Sequence, residues 1–177
     1  MNAVNQQERL LITEELKWFL AGVIEGEGSL CVSIKNHKAS KYGFVIDPEF
    51  FLYQHKCGIK LLHLAESVFG CAIIRSKPGN KNVLVFSITD RQSLINKVIP
   101  FFEKYMEFSS KWISFEKFRQ IVLSMEKKEH FYADGLIKLL KKAYEMNPFS
   151  KGKERKRTLE DVIKRILRGH TPESTYK

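Results

Sequence analysis

The sequence lacks the features that mark secreted, membrane-bound or zinc-binding proteins. Its three cysteines, Cys31, Cys57 and Cys71, are odd in number and form no Cys-x-x-Cys pair, so neither a disulfide framework nor a thiolate zinc site is indicated. The first residues have no basic start and no long apolar stretch, and the longest apolar run, residues 18–24, stops at Glu25. We therefore expect an intracellular protein, in a prokaryotic cytoplasm or an organelle, with no membrane partner.

Acidic residues are the minority among the charged side chains. The 177-residue chain has 30 Lys and Arg but only 20 Asp and Glu, which gives a net charge of +10 near neutral pH. This excess favours a polyanionic partner, with nucleic acid first among the candidates. The length predicts one compact domain, or one domain with a short appendage. A hydrophobic content of 44% is enough for a core and excludes a disordered chain.

The periodicity of apolar residues predicts two helix-strand-strand units followed by further helices. Thr13 can cap a first helix that ends near Glu25, because glycines follow and residues 30–35 alternate as a half-buried strand does. A second strand covers residues 44–53, with Asp47-Pro48 marking an edge or a bulge. Since the strands have one polar face, we predict an α+β domain with helices on one side of an antiparallel sheet. The later elements are a helix over 59–69, a hairpin turning at 77–80, and helices over 90–100, 110–126, 132–145 and 159–167.

The stretch that ends the first predicted helix carries the most specific signal. Residues 20–28 read Leu-Ala-Gly-Val-Ile-Glu-Gly-Glu-Gly. This nonapeptide resembles the signature of the LAGLIDADG homing endonucleases, although both acids are Glu where the family name has Asp. The resemblance extends over about residues 10–170, and one copy of the motif is similar to the intron-encoded, single-motif branch whose members act as homodimers. It implies an αββαββα fold with a curved, four-stranded antiparallel sheet, helices on one face, and additional C-terminal helices.

Small residues on one face of this helix suit close packing against a second helix. Ala21, Gly22 and Gly26 lie at helical spacings, and the near absence of side chains lets two backbones approach closely. The resemblance implies that such helices pair across a two-fold axis. We therefore expect Ala21, Gly22, Glu25 and Gly26 at a homodimer interface, with a structural role for Glu25.

Glu27 is the predicted catalytic residue. It falls just past the predicted helix end, so in a symmetric dimer one carboxylate from each subunit would converge beside the two sheets. Mg²⁺ prefers oxygen ligands with few protein carboxylates, and the resemblance implies that Glu27 and the carbonyl oxygen of Gly26 bind it. The alternative is that Glu25 and Glu27 are solvated acids at a turn.

Two further residues match supporting positions of the family's active site. Gln54, at the end of the second strand, matches a polar residue that orders active-site water; the alternative is a strand-end amide that faces solvent. Lys111 matches a lysine that reaches toward the scissile phosphate and can stabilise developing negative charge. As a plain residue at a helix N-terminus, Lys111 would sit against the helix dipole. His55 and His63 form no histidine pair with metal-ligand spacing.

The polar face of the sheet is the expected DNA-reading surface. An antiparallel ribbon fits the major groove, where alternate side chains point at base edges, and acidic side chains there suit the amino groups of cytosine. The predicted DNA-binding residues of the sheet are Ser33, Lys35, His37, Asp47, Glu49, Tyr53, Arg75, Lys77, Lys81 and Asn82.

A basic run follows the predicted endonuclease core, residues 1–150. Some single-motif relatives have a basic loop and a short C-terminal helix that grip the DNA backbone, and residues 151–177 match this arrangement. A localisation-like tag or a solvated tail is the alternative. The predicted backbone-contacting residues are Lys151, Lys153, Arg155, Lys156 and Arg157.

Together these features predict a homodimeric, Mg²⁺-dependent, site-specific DNA endonuclease. By the resemblance it would cut a long, nearly palindromic duplex and leave short 3′ overhangs. The alternatives are an intron RNA maturase and a catalytically silent DNA-binding regulator on the same fold, and RNA stays open as an additional partner.

Overall fold

The helices and strands follow one another in the predicted order. A computed structural model describes residues 11–146 and 157–169 of the chain. The strands are β1 (Gly28–Asn36), β2 (Phe44–His55), β3 (Ile73–Lys77) and β4 (Asn80–Ile88). The helices are α1 (Glu14–Glu27), α2 (Ile59–Phe69), α3 (Arg91–Ser93), α4 (Ile99–Tyr105), α5 (Trp112–Glu126), α6 (Ala133–Glu145) and α7 (Leu159–Leu167).

The four strands form one antiparallel sheet in the order β1-β2-β4-β3. β1 pairs with β2 along its whole length without a register shift, whereas β4 pairs with β2 only from Phe50 to His55. Pro48 therefore lies where β2 has a single neighbouring strand, a position that tolerates the missing N–H group. The predicted edge at Pro48 is confirmed, and there is no bulge at this residue.

The core lies between one face of the sheet and the helices. Phe50 and Leu52 of β2 and Phe86 of β4 alternate toward this face and are fully buried, as are Leu20 and Ile24 of α1. Burial of each such side chain contributes about 1.5–3 kcal/mol to the stability of the fold. The opposite face combines polar side chains such as Ser33 and Glu49 with apolar ones such as Phe51 and Val85, and the main core does not include them.

α1 is longer than the sequence pattern predicts. It continues to Glu27 rather than ending near Glu25, since Gly26 keeps helical geometry and the N–H of Gly28 still donates to the carbonyl of Ile24. As a result Glu27 is the last residue of the helix, and β1 begins at the next residue.

The helical segment after Asp90 also continues beyond its predicted end. It passes Pro100 and reaches Tyr105, and a π-helical turn at Leu94–Val98 ends two residues before the proline. A wider turn accommodates the lost N–H group of proline without breaking the helix.

α7 packs against the same core. Val162 and Ile166 are buried in the main apolar cluster, and the guanidinium of Arg165 lies 4.8 Å from the ring centre of Phe44, in cation–π geometry. The C-terminal helix is therefore fixed to the start of β2. Within the described ranges, no helix is both long and apolar enough to cross a bilayer.

Candidate active site

The C-terminal turn of α1 places Glu27 at an exposed helix tip. Gly26 and Glu27 are both exposed, and a Cβ atom built on Gly26 would have no neighbour within 4 Å. Among the described residues, no hydrogen bond or ion pair engages the Glu27 carboxylate. The Glu27 carboxylate is therefore an exposed oxygen donor at the helix end, next in sequence to the Gly26 carbonyl.

These donors fit a divalent metal such as Mg²⁺ only as part of a larger set. In the ranges that the structure describes, no group of three or more His, Cys, Asp or Glu side chains forms a metal cage. Mg²⁺ needs few protein carboxylates because water and phosphate fill its remaining positions. The residues present thus suit a metal whose remaining positions water and substrate would fill.

Glu25 binds the turn that precedes α5. Its carboxylate accepts hydrogen bonds from the hydroxyl of Ser109, from the hydroxyl of Ser110 at 2.5 Å, and from the backbone N–H of Ser110 at 3.2 Å. Partial burial raises the pKa of Glu25, but the hydrogen bonds from Ser109 and Ser110 outweigh it and hold the pKa below its usual value. Glu25 is thus a structural anchor between α1 and this turn.

Lys111 is held beside the catalytic candidate by the same turn. Its Nζ donates a hydrogen bond to the backbone carbonyl of Glu25, two residues before Glu27. The backbone N–H of Lys111 bonds to the Ser109 hydroxyl at 3.0 Å. Lys111 and Glu27 are therefore brought to the same end of α1. The roles of Ser109 and Ser110 were missed in the sequence, where a serine pair before a helix was the available signal.

Gln54 lies at the end of β2, near the tip of α1. Gly28 pairs with Leu52, so the residues after Leu52 run alongside the end of the helix. The Gln54 carboxamide oxygen accepts the backbone N–H of His55 at 3.0 Å. A Cβ atom on Gly58 would lie 2.7 Å from Gln54 Cγ. The Gln54 side chain therefore occupies the space that a side chain at position 58 would need, and a larger residue there would displace it.

The polar sheet face contains a cross-strand charge cluster that the sequence did not reveal. Lys35 forms an ion pair with Asp47 and lies 3.5 Å from Glu49, and the Ser33 hydroxyl donates to Glu49 at 2.8 Å. The hydrogen bond with Asp47 raises the pKa of Lys35. The charge of Lys35 is thus balanced by acids within the protein. Its contact with DNA stays a prediction.

The remaining predicted sheet contacts are placed as follows. Lys77 lies over the Tyr53 ring, with Nζ 5.2 Å from its centre, and Arg75 is paired in register with Val85, which is also the partner of Tyr53. These side chains therefore share one face. The residues His37, Lys81 and Asn82 are exposed near the two hairpin ends.

Only the last residue of the predicted basic run is described. The guanidinium of Arg157 lies 5.8 Å from the Phe44 ring centre, so Arg157 lies at the start of β2. The other predicted contacts, Lys151, Lys153, Arg155 and Lys156, lie outside the described residues, as does the boundary between residues 150 and 151.

An apolar hollow of about 300 Å³ lies beside the outer face of α1. Gly22 and Ala21 line it together with Trp18 and Phe108. Phe108 is 98% exposed and Trp18 55%, and a Cβ atom on Gly22 would meet nothing within 4 Å. Ala21 is buried within the subunit. The predicted interface residues Gly22 and Glu25 thus line a hollow beside the almost fully exposed Phe108, while Trp18 packs edge-on against Tyr105. Gly26 is exposed one turn further along α1.

The fold and this site define an α+β protein in which the end of a motif helix delivers an acid beside a four-stranded antiparallel sheet. The family model described as LAGLIDADG endonuclease matches residues 20–122, more than half of the chain. The chain therefore belongs to the LAGLIDADG endonuclease family. The predicted fold class is confirmed.

Individual relatives agree with this assignment. The DNA endonuclease I-CeuI of Chlamydomonas moewusii is 50% identical over 106 residues, which are 59% of this chain and 49% of that protein. The match thus covers about half of that relative's length. The homing endonuclease I-ApeII of Aeropyrum pernix is 29% identical over 153 residues, 85% of this chain and 90% of that protein.

Two solved structures are similar over most of the fold. The group I intron-encoded homing endonuclease I-CeuI complexed with DNA gives a TM-score of 0.83 at 37% identity, covering 89% of this chain and 78% of that one. The archaeal intron-encoded homing endonuclease I-Vdi141I complexed with DNA gives 0.81 at 32% identity, covering 88% and 98%.

Proposed function

We propose that this chain is a homodimeric, metal-dependent, site-specific DNA homing endonuclease. The observation that carries the proposal is the exposed Glu27 carboxylate, which is unpaired among the described residues while Lys111 is anchored to the adjacent turn of the helix. A carboxylate and a lysine at one helix end suit phosphodiester hydrolysis, which needs a held water and positive charge near the leaving oxygen. The names of the relatives support the same reaction.

The residues have distinct roles in this proposal. Glu27 and the Gly26 carbonyl would hold a divalent metal, for which Mg²⁺ is our candidate. Such a metal supplies an activated water and stabilises charge on the transferring phosphate. Gln54 would orient water through its carboxamide group, for which the absence of a side chain at Gly58 leaves room. Lys111 would offer its ammonium group to the phosphate.

A second copy of the chain is the proposed partner at α1. Phe108 is almost fully exposed, and a hollow with room for a side chain lies beside it. In a two-fold dimer, the Phe108 of each copy would enter the hollow of the other, because an isologous interface repeats every contact. The pairing would also deliver two Glu27 carboxylates to one place, as cutting both strands of a nearly palindromic duplex requires.

The polar sheet face is the proposed base-reading surface. Arg75 and Lys77 are exposed cations suited to guanine or phosphate contacts. Asp47 uses one carboxylate oxygen for Lys35, so the other remains an acceptor for the amino group of cytosine or adenine. Because Lys35 is neutralised by acids, this part of the sheet is suited to reading bases rather than to gripping phosphates.

Cleavage of a randomised duplex library in Mg²⁺, followed by sequencing of the ends, tests the proposal. We expect ends with short 3′ overhangs at one nearly palindromic site. Glu27→Gln should bind that site with unchanged affinity but produce no ends, because the amide no longer supplies an anionic metal ligand. Glu66→Gln, which removes an exposed carboxylate that pairs with His63 on α2, is the matched control and should cut normally.

Two outcomes would contradict this proposal. Cutting by Glu27→Gln at the wild-type rate would remove Glu27 from the mechanism. A wild-type protein that selects a site but never nicks it would favour the catalytically silent regulator.

A further inference from the structure

Part of the polar sheet face is apolar where β3 forms the edge of the sheet. Phe51 of β2 pairs in register with Ser87 of β4, which in turn pairs with Ile73 of β3. Successive side chains of a strand point to opposite faces of the sheet, and the next residue, Ile74, packs against the core. Ile73 therefore points away from the helices, on the same face as Arg75.

Ile73 is the accessible member of this row of three residues. It is 59% exposed, whereas Ser87 is only 4% exposed. The hydroxyl of Ser87 donates a hydrogen bond to the backbone carbonyl of Ile73 at 3.3 Å, so it is both buried and already bonded. Phe51 has no hydrogen-bonding group in its side chain. A molecule that approaches this row would therefore meet the branched side chain of Ile73 and could make only apolar contacts with it.

We propose that Ile73 reads a thymine in each half of the target duplex, by contact with the C5-methyl group of the base. Among the four bases only thymine presents a methyl group in the major groove, and apolar side chains are its partners there. The inference rests on the proposed function, because it takes the polar sheet face as the surface that enters the major groove.

The neighbours of Ile73 on β3 favour DNA over an apolar protein partner. Arg75 and Lys77 lie on the same face and are exposed, and their positive charge suits a polyanion. Arg75 follows Ile73 by two residues, about 7 Å along the strand. Because base pairs stack about 3.4 Å apart, one strand can bring both side chains to the same half-site. An apolar side chain beside these cations suits a base edge rather than a phosphate.

Selection of bound duplexes from a randomised library, without added Mg²⁺, measures the base preference at each position. We expect the wild type to prefer thymine at one symmetry-related pair of positions and Ile73→Ala to lose this preference there alone. Ile113→Ala makes the same change at an exposed isoleucine on α5, and this control should keep every preference. A full set of thymine preferences in Ile73→Ala would overturn the contact.

Replacement of that thymine by uracil removes only the methyl group and tests the contact directly. In the wild type it should weaken binding about fourfold for each half-site, as expected for one buried methyl group. Ile73→Ala should bind the thymine and uracil duplexes equally, whereas Ile113→Ala should show the wild-type ratio. Equal losses in the wild type and Ile73→Ala would mean that another group contacts the methyl, and no loss in the wild type would mean that nothing does; either result refutes the proposal.

This contact and the proposed function can fail separately. If the wild type selects the site and discriminates against uracil but never nicks the duplex in Mg²⁺, the proposed function fails and the thymine contact stands. If the wild type cuts its site and Ile73→Ala has the same base preferences, the contact fails and the proposed function stands.

Discussion

Removal of the Glu25 carboxylate should both destabilise the fold and impair cleavage. The carboxylate accepts three hydrogen bonds from Ser109 and Ser110 and is half-buried. Hydrogen bonds to a charged group contribute about 1.5–3 kcal/mol each, and about 0.5–1.5 kcal/mol when neutral. Because the two hydroxyls can turn to water, we expect Glu25→Ala to lower the free energy of unfolding by about 2–4 kcal/mol. For Glu25→Gln, which keeps one acceptor, we expect about 1–2 kcal/mol.

Denaturant unfolding, monitored by circular dichroism, measures the free energy of unfolding that each variant loses. A loss of 2–4 kcal/mol corresponds to a lower Tm by about 4–16 °C for a chain of this size. Glu116→Ala, at an exposed position on α5, is the control and should stay within about 0.5 kcal/mol of wild type. If Glu25→Ala were as stable as this control, the anchoring role of Glu25 would be refuted.

The lowered pKa of Glu25 determines how the stability difference between wild type and Glu25→Gln depends on pH. A carboxyl group whose pKa is lower in the folded state stabilises the fold above its unfolded pKa, here 4.5, and loses this contribution as pH falls through the folded value. The stability gap between wild type and Glu25→Gln should therefore be full at pH 6 and should shrink below about pH 4.5. A gap that grows on acidification would contradict this linkage.

Cleavage by Glu25→Gln tests whether Glu25 positions Lys111 or only stabilises the fold. The turn held by Glu25 contains Lys111, whose Nζ bonds to the Glu25 carbonyl. At a temperature where the variant is folded, Glu25→Gln should lower the single-turnover cleavage rate more than it lowers DNA affinity. Equal losses in both would indicate that the turn does not position Lys111.

Three further substitutions test other parts of the structure. Phe108→Ala should raise the dimer dissociation constant at least tenfold in sedimentation experiments, because two copies of a side chain worth about 1.5–3 kcal/mol are lost, whereas Phe131→Ala, another exposed aromatic, should not. Asp47→Asn should relax the preference at one base pair of each half-site by about 1–3 kcal/mol in a cleavage-specificity profile; uniform weakening at all positions would mean a backbone role. Gly58→Ala should slow cleavage with little change in DNA affinity, since its Cβ would collide with Gln54; an unchanged rate would exclude Gln54 from the chemistry.

Local patterns in the sequence were enough to predict most of the fold. α2 and α7 begin and end at the predicted residues, because a glycine in left-handed conformation at Gly70 terminates the first and Thr158 caps the second. The end of α1 could not be predicted in the same way. Gly26 reads as a helix breaker, but the helix continues through it, and the contacts that hold this turn come from residues more than 80 positions away.

The candidate site was predictable in its residue types but not in its pairings. The nonapeptide indicated Glu27 as a candidate, and the wider resemblance to the family indicated Gln54 and Lys111; their roles stay predictions. No periodicity indicates that Lys35 meets Asp47 and Glu49, because the strand register depends on the tertiary fold.

The number of chains on one target duplex tests the central claim most directly. With the binding-competent Glu27→Gln variant, the duplex stays intact and sedimentation gives the mass of the complex. We predict two chains per duplex, with no stable complex of one chain. A saturated complex that contains a single chain would contradict a site built from two α1 helices, and with it the role assigned to the paired Glu27 carboxylates.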